Sequence, residues 1–439
     1  ERYIMTMSVV QVGLILIGTF FLLLALSVPV SISLIVSSVL TTACVMDLDL
    51  ATFVASQKMI TGVDSFSLIA VPFFILCGVL MNSGGIAQKL INFAKLFVGF
   101  IPGGLAHTNI LGSTLFGSIS GSSVAASIAV GGVMIPLEEK EGYDRKFAAA
   151  ANIASAPTGL IIPPSGILII YAVLSGCSVV GMIMSGYIPG FMWCIACMMV
   201  AFVIAKKNKY PTTKAVPAKV FIHTFIDAVP SLLLIVIIVG GVCSGIFTAT
   251  ESAAVAVAYT LFLSIVCYRT IKIKDLPAIL CDACETTAVI MFLIAASSTM
   301  SFVMSFTGLP AAIGKAMLSI SSNPYVVLLM INIIFLVVGT FMDITPAVLI
   351  FAPIFLPVVK SFGMHPIHFG IMMIMNLGIG NITPPVGSAL FSGCSVAGID
   401  MEDMIKPILP FYGAIFAALM LVAYVPWFSM VIPTLVGAV

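Results

Sequence analysis

The sequence predicts an all-α polytopic membrane protein made of two inverted repeats, with about ten transmembrane helices, two re-entrant helical hairpins and two broken helices. Three observations carry that expectation: the composition, the lengths of the apolar runs, and a set of residues that returns at a fixed displacement. Of 439 residues, 61% are hydrophobic and only 8% charged, whereas a soluble globule carries roughly 25% charged residues. Most of the surface must therefore meet lipid. A hydrocarbon core about 30 Å thick takes about 20 apolar residues per helical crossing, so the length allows ten or so crossings and no separate soluble domain. A formal net charge of +1 removes the broad positive footprint that nucleic-acid phosphates require.

Apolar runs at 9–26, 28–45, 67–82, 182–205, 221–247, 249–268, 283–303 and 404–433 read as plain spans. Regions 147–177 and 366–396 are apolar but split by Pro163-Pro164 and Pro384-Pro385, and read as crossing helices with a break. Regions 107–137 and 324–359 are interrupted near their middles by Gly, Ser, Asp or Pro, and read as hairpins that enter and leave on one side. This scheme puts fourteen basic residues on one side, including Lys89, Lys95, Lys140, Arg145, Lys146, the lysines of 206–219, Arg269, Lys272, Lys274 and Lys406. Only Arg2, Lys58, Lys315 and Lys360 fall on the other. The excess marks the first side as cytoplasmic and both termini as external.

Pro136, Gly142, Pro163, Pro164 and Gly166 recur 221 residues later as Pro357, Gly363, Pro384, Pro385 and Gly387. Ser175-Gly176-Cys177-Ser178 returns as Ser392 to Ser395 at an offset of 217. The first repeat is placed at 1–205, a cytoplasmic connector at 206–220 and the second repeat at 221–439. Five crossings in each half force the second copy to enter from the opposite face. Inverted repeats with helices broken in mid-membrane are a recurring design of secondary transporters.

Interrupted helices are tolerated in hydrocarbon only where protein covers them or a wet cavity is lined, so the interruptions mark the site. The first half offers Gly117-Ser118-Ile119-Ser120-Gly121-Ser122-Ser123 against Ala156-Pro157-Thr158-Gly159 and the run to Pro163-Pro164-Ser165. The second offers Gly339-Thr340-Phe341-Met342-Asp343-Ile344-Thr345-Pro346 against Gly378-Ile379-Gly380-Asn381-Ile382-Thr383-Pro384-Pro385. Proline removes amide donors and leaves upstream carbonyls free, and those carbonyls with Ser and Thr hydroxyls form an oxygen nest suited to a small hard cation such as Na⁺. Asp343, central in an apolar hairpin, reads as functional, because an unpaired charge there costs several kcal/mol. No Lys or Arg falls in the core of either hairpin or broken helix, so an anion bound there would rely on helix N-termini, hydroxyls, amides and bound cations. The hydroxyls of Ser122, Ser123, Ser165, Thr345 and Ser388 are the expected substrate contacts.

Other residues read as structural. Of the ten Cys, Cys177, Cys194, Cys197, Cys243, Cys267 and Cys394 lie in apolar runs and are taken as packing residues; Cys194-x-x-Cys197 and Cys281-x-x-Cys284 span one helical turn with no His nearby, so Na⁺ is the only metal expected. Glu251 is a first-turn acid favoured by the helix dipole. His365 and His368 are placed at the membrane interface. Glu138, Glu139, Glu141, Asp144, Arg145 and Lys146 are read as a solvated mixed-charge loop. Gly117-x-x-x-Gly121 suits close packing as well as an ion site. No Ser-His-Asp set, Walker loop or HExxH is present, so the chain is expected not to be an enzyme and to need no organic cofactor. The start at Glu1 rather than Met fits a longer or trimmed polypeptide, and the first apolar run lacks a cleavage site and reads as a retained helix.

These residues resemble the large membrane subunit, the M or DctM-like component, of a tripartite ATP-independent periplasmic (TRAP) transporter. The carriers span nearly the whole chain: Gly62-x-Asp64-Ser65-Phe66-Ser67-Leu68, Met81-Asn82-Ser83-Gly84-Gly85, the Gly117–Ser123 segment, Ile161-Ile162-Pro163-Pro164-Ser165, Asp343-x-Thr345-Pro346 and Asn381-Ile382-Thr383-Pro384-Pro385-Val386-Gly387. Thr248-Ala249-Thr250-Glu251 departs from the usual Thr-Pro-Thr-Glu. The resemblance implies a Na⁺-driven importer of the elevator-type superfamily in the bacterial inner membrane. It also implies a small four-helix membrane partner, separate or fused upstream, and a periplasmic binding protein that delivers an organic acid such as a dicarboxylate, sialic acid or sugar acid. It puts one Na⁺ at Ser118, Ser120, Gly121 and Ser122 with Pro157, Gly159 and Pro163. The other falls at Gly339, Thr340 and Asp343 with Gly380, Asn381, Thr383 and Pro384. A one-component Na⁺/carboxylate symporter is the alternative expectation.

Overall fold

The computed structural model describes residues 8–212 and 217–438; Arg2 and Lys214 of the basic-residue argument lie outside them. The described chain is all helical. Helices α1 (Val9–Ala25), α2 (Val30–Ala43), α3 (Leu48–Val63), α4 (Ala70–Ser83) and α5 (Ile86–Val98) precede the first interrupted region. That region consists of α6 (Gly104–Ser120), α7 (Ser123–Lys140), α8 (Arg145–Ser155), α9 (Thr158–Ile161) and α10 (Gly166–Ser175). Helices α11 (Val179–Ser185), α12 (Tyr187–Asn208), α13 (Ala218–Cys243), α14 (Ala249–Phe262), α15 (Leu276–Thr307) and α16 (Leu309–Ile320) follow. The second interrupted region is α17 (Pro324–Phe341), α18 (Ile344–Ser361), α19 (Pro366–Gly380) and α20 (Ser388–Ala397), and the chain closes with α21 (Met401–Tyr424) and α22 (Trp427–Leu435). Among the described residues, eight helices are long and apolar enough to cross a membrane, or nine with the bent pair Arg145–Ile161 and Gly166–Ser175, which meet at 44°.

The interrupted regions fall within a few residues of the expected boundaries, and each turn has its local cause. Gly121 closes α6 at φ +64° and Ser122 caps α7 by accepting from Ala125 N at 3.2 Å. A left-handed residue followed by a hydroxyl cap reverses the chain in two residues. In the second half Asp343 holds the N-cap position of α18, directly after α17. The Pro163-Pro164 and Pro384-Pro385 bonds are both cis, and both fall in the break between helical halves.

Equivalent polar pairs hold the front half of each broken helix to the first helix of its hairpin. The Asn152 side-chain amide lies 2.9 Å from Asn109 Oδ1, and Asn376 Nδ2 donates to Asn332 Oδ1 at 2.7 Å. Asn332 and Asn376 lie 223 and 224 residues after Asn109 and Asn152. All four side chains are buried, and a buried amide must find such partners.

The first pair has an extra member that corrects the sequence reading. Glu138 lies inside α7, fully buried, and accepts from Asn109 Nδ2 at 2.8 Å. It is not a solvated loop residue, because α7 runs on to Lys140 and turns Glu138 inward. Arg145 and Lys146 also do more than face water: Arg145 reaches Glu139 at 2.6 Å and the Ala397 carbonyl at 2.6 Å, and Lys146 pairs with Asp403 at 2.8 Å. Asn109→Leu is expected to cost about 1–3 kcal/mol by leaving the Glu138 carboxyl without its donor. Glu138→Gln, which keeps an acceptor, should stay within about 0.5 kcal/mol; thermal unfolding of both variants in detergent checks the contrast.

His368 is also corrected. It is buried rather than interfacial, with Nδ1 2.6 Å from Ser429 Oγ and Nε2 3.2 Å from the Ala423 carbonyl. Its partners come from α21 and the short α22, so the run expected at 404–433 is two helices that fold over the start of α19. His365 caps α19, accepting from Ile367 N at 3.3 Å. Glu251 does complete a capping box with Thr248, as its first-turn position suggested. Three helices were not anticipated: α3, α5 and α16 lie in segments read as connections.

Candidate functional site

Where each hairpin meets its broken helix, two glycines let the backbones touch. A Cβ on Gly159 would sit 2.3 Å from Gly117 Cα, and one on Gly380 would sit 2.4 Å from Gly339 Cα. Real side chains cannot occupy that space, so Gly159 and Gly380 are held to glycine; a Cβ on Gly117 would also clash, at 2.8 Å from Gly159 Cα, while one on Gly339 would be a tight 3.1 Å from Gly380 Cα. Gly117 thus serves close packing. Gly159→Ala is expected to lower stability by about 1–3 kcal/mol or more through overpacking, read as a drop in the thermal midpoint; Gly166→Ala, with nothing within 4 Å of its Cβ, is the control.

At the first junction the tip reaches the break. A Cβ on Gly121 would lie 3.7 Å from Gly166 N and 3.9 Å from the Pro164 carbonyl oxygen. Ser118 is buried and donates to the Leu115 carbonyl at 2.8 Å, while Ser120 is held only by a 3.5 Å contact to the Gly117 carbonyl. Ser120, Gly121 and Ser122 face a cavity; Pro157, Gly159 and Pro163 are buried behind them. Ser165 is not free to meet a substrate as expected. It is fully buried and donates to the Leu160 carbonyl at 2.7 Å, closing the break from within.

The second junction carries the carboxylate. Ser388 Oγ lies 3.2 Å from Asp343 Oδ1 and also forms a short hydrogen bond to Asn381 Oδ1. Asn381 Oδ1 accepts from Ala389 N at 3.2 Å as well. The Thr340 carbonyl accepts from Val386 N at 3.1 Å, and Thr383 Oγ1 donates to the Ile379 carbonyl at 2.6 Å. Tyr412 of α21 donates to the Ile382 carbonyl. Gly339, Thr340, Asp343, Gly380 and Asn381 thus meet at this junction, with Thr383 and Pro384 in the adjoining break.

A single hydrogen bond joins the two junctions. Asn381 Nδ2 donates to Ser123 Oγ at 2.8 Å, and both residues are 3% exposed. The chain Asp343–Ser388–Asn381–Ser123 thus runs from the tip of the second hairpin to that of the first. The sequence assigned all four to the site without foreseeing this link.

Both tips open onto one cavity of about 480 Å³. Its polar lining is Asn82, Ser120, Ser122, Ser123, Asp282, Thr286, Asp343, Thr345 and Asn381, with Val71, Phe74, Ile75, Ile119, Ile167, Ile170 and Ile290 among its apolar walls. Among the described residues, no Lys or Arg lines it. Hydroxyls, amides and carboxylates facing a common space can ligate hard cations and hydrogen-bond an organic acid, but cannot neutralise the acid's charge by themselves. Asp282 and Thr286 were missed. The span was begun at residue 283, yet α15 starts at Leu276, which brings a carboxylate to the cavity wall.

Comparison with known proteins agrees over the whole chain. The family model described as "Tripartite ATP-independent periplasmic transporter, DctM component" matches residues 17–428. A protein of Salmonella typhimurium described as uncharacterized protein YgiK is 47% identical, over 96% of this chain and 97% of that one. The sialic acid TRAP transporter large permease protein SiaM of Vibrio cholerae serotype O1 is 39% identical, over 87% of this chain and 89% of its own length. Among solved structures, the Alcanivorax borkumensis YdaH transporter aligns with a TM-score of 0.60 and 14% identity, covering 84% of this chain and 87% of that one, a likeness of fold alone.

Proposed function

The chain belongs to the DctM component family of the tripartite ATP-independent periplasmic transporters, and from that membership we propose that it is a sodium-coupled permease importing an organic acid. The observation that carries the reading is the shared cavity: two glycine-locked hairpin tips supply oxygen ligands, one carboxylate among them, and among the described residues no basic side chain lines the space. Sodium at the two junctions would compensate the substrate's charge. Two Na⁺ with one monocarboxylate would carry one net positive charge inward, and a membrane potential contributes about 2.3 kcal/mol per charge per 100 mV.

The proposal includes inverted repeats, re-entrant hairpins and an elevator movement. Repetition of the Asn pairs, the glycine contacts and the Pro-Pro breaks in both halves supports the repeat. The Asn381–Ser123 hydrogen bond supports movement of both tips as one body. A small membrane subunit and a periplasmic binding protein are the proposed partners, and the bacterial inner membrane the proposed location. Proteoliposomes holding the chain with these partners should accumulate an organic acid only under an inward Na⁺ gradient. Equal accumulation without the binding protein would favour a one-component symporter, and equilibration without accumulation a channel.

A further inference from the structure

The cavity holds a second carboxylate that the coupling reading leaves unused. Asp282, Thr286 and Ile290 all line it from α15. Their spacing of four residues puts them on one helix face, a stripe about 12 Å long. The Asp282 side chain is exposed, and among the described residues its carboxylate has no hydrogen-bond or ion-pair partner. Asn82 lies across the same space at the end of α4. It is one turn beyond Gly78, whose Cβ would come 2.8 Å from the Ser120 carbonyl oxygen, so Asn82 stands about 6 Å further along the axis than the first hairpin tip.

These positions divide the cavity chemically. One end offers the hairpin hydroxyls and the proposed cations, which suit a carboxylate. Asn82 near the end of α4 and Asp282 near the start of α15 both border segments that the basic-residue scheme puts on the cytoplasmic side; that side offers a carboxylate, an acceptor only once ionised, an amide, and the Thr286 hydroxyl, which donates to the Asp282 backbone carbonyl at 3.0 Å and keeps its lone pairs free. A substrate anion at the tips could not place a second anionic group beside Asp282, because like charges sharing a site with no cation repel. A donor at that end would complete the carboxylate's hydrogen bonding and make a charge-assisted contact.

We propose that Asp282 is a specificity-determining residue that selects acids whose far end carries O–H or N–H donors and rejects dicarboxylates. The inference rests on the sodium-coupled acid reading above and narrows its substrate class. The stripe is also where sequence order puts the lysine-bearing segments nearby, Lys89 after α4 and Lys272 and Lys274 before α15, yet none of these lines the cavity.

The test is thermal stabilisation of the purified full chain in detergent, in NaCl and in choline chloride, by acids of equal carbon number: gluconate, ω-aminohexanoate, adipate and hexanoate. In NaCl, gluconate or ω-aminohexanoate should bind at least tenfold more tightly than adipate or hexanoate, and whichever binds identifies the donor. Asp282→Asn should weaken that acid at least tenfold, and Asp282→Lys should give adipate the advantage. Cys284→Ser, exposed on another face of α15 and away from the cavity, is the folding control. Adipate binding wild type as tightly as the donor-bearing acids, or an unchanged ranking in both Asp282 variants, overturns the selection while leaving sodium-dependent acid binding in place. A chain stabilised by none of the four, with or without sodium, overturns both readings.

Discussion

Asp343→Ala is expected to raise the Na⁺ concentration for half-maximal uptake at least tenfold, a loss of about 1.4 kcal/mol or more in cation binding. The carboxylate is the only formal charge at either hairpin tip and faces the cavity. Its one hydrogen bond to another side chain is to Ser388, and that hydroxyl keeps Asn381 as a partner when the aspartate is gone. The variant should therefore fold, and its thermal midpoint without sodium should move little. Ser120→Ala should act in the same direction and less strongly, since it removes a neutral ligand whose 3.5 Å contact to Gly117 leaves it available to an ion. Sodium titrations of uptake in proteoliposomes check both. Unchanged dependence in the two variants would remove them from the coupling site.

Asn381→Leu is expected to reduce uptake more than tenfold at any sodium concentration. This one side chain donates to Ser123, accepts from Ser388 and accepts from the Ala389 amide. Loss of it frees the start of α20 and separates the two junctions, leaving buried polar groups without partners at about 1–3 kcal/mol each. Ser123→Ala removes only the acceptor of that donor and leaves the contacts of Asn381 to Ser388 and Ala389 in place, so it isolates the link. If the link couples the halves, Asn381→Leu and Ser123→Ala should be strongly non-additive in transport rate, because both remove the same hydrogen bond. Strict additivity would mean that each residue acts alone.

Residues with one backbone consequence were the legible part of this fold. The Pro-Pro pairs located both breaks, and glycine with serine or aspartate located both hairpin turns. Expected limits of 107–137 and 324–359 compare with Gly104–Lys140 and Pro324–Ser361. A proline in an apolar run has few structural solutions, which is why those positions carry so far. Helix α5 was missed because its apolar residues Ile86, Leu90, Ile91 and Ala94 occupy one face only, and Lys89 and Lys95 ended the apolar run. Its spacing could have revealed it.

Features that depend on distant partners were not legible. Glu138 looked solvated because its neighbours in sequence are charged, while the Asn109 that holds it is on another helix. His368 needed Ser429 and Ala423. Ser165 belonged to the expected substrate set by its place beside the prolines, yet a five-residue return to Leu160 uses its hydroxyl. Asp282 fell outside its span because a charge closes a hydropathy window even where the helix continues. The hairpin and broken-helix cores carry no Lys or Arg in the sequence, and among the described residues the walls from α4 and α15 add none.

The most direct test is a current and uptake measurement on proteoliposomes containing the chain with its small subunit and binding protein. With sodium outside only, the acid should accumulate, carry net positive charge inward, and leave again when the gradient is collapsed. Accumulation that proceeds equally in choline, or that moves no charge under a sodium gradient, would contradict cations at the hairpin junctions standing in for the missing basic side chains.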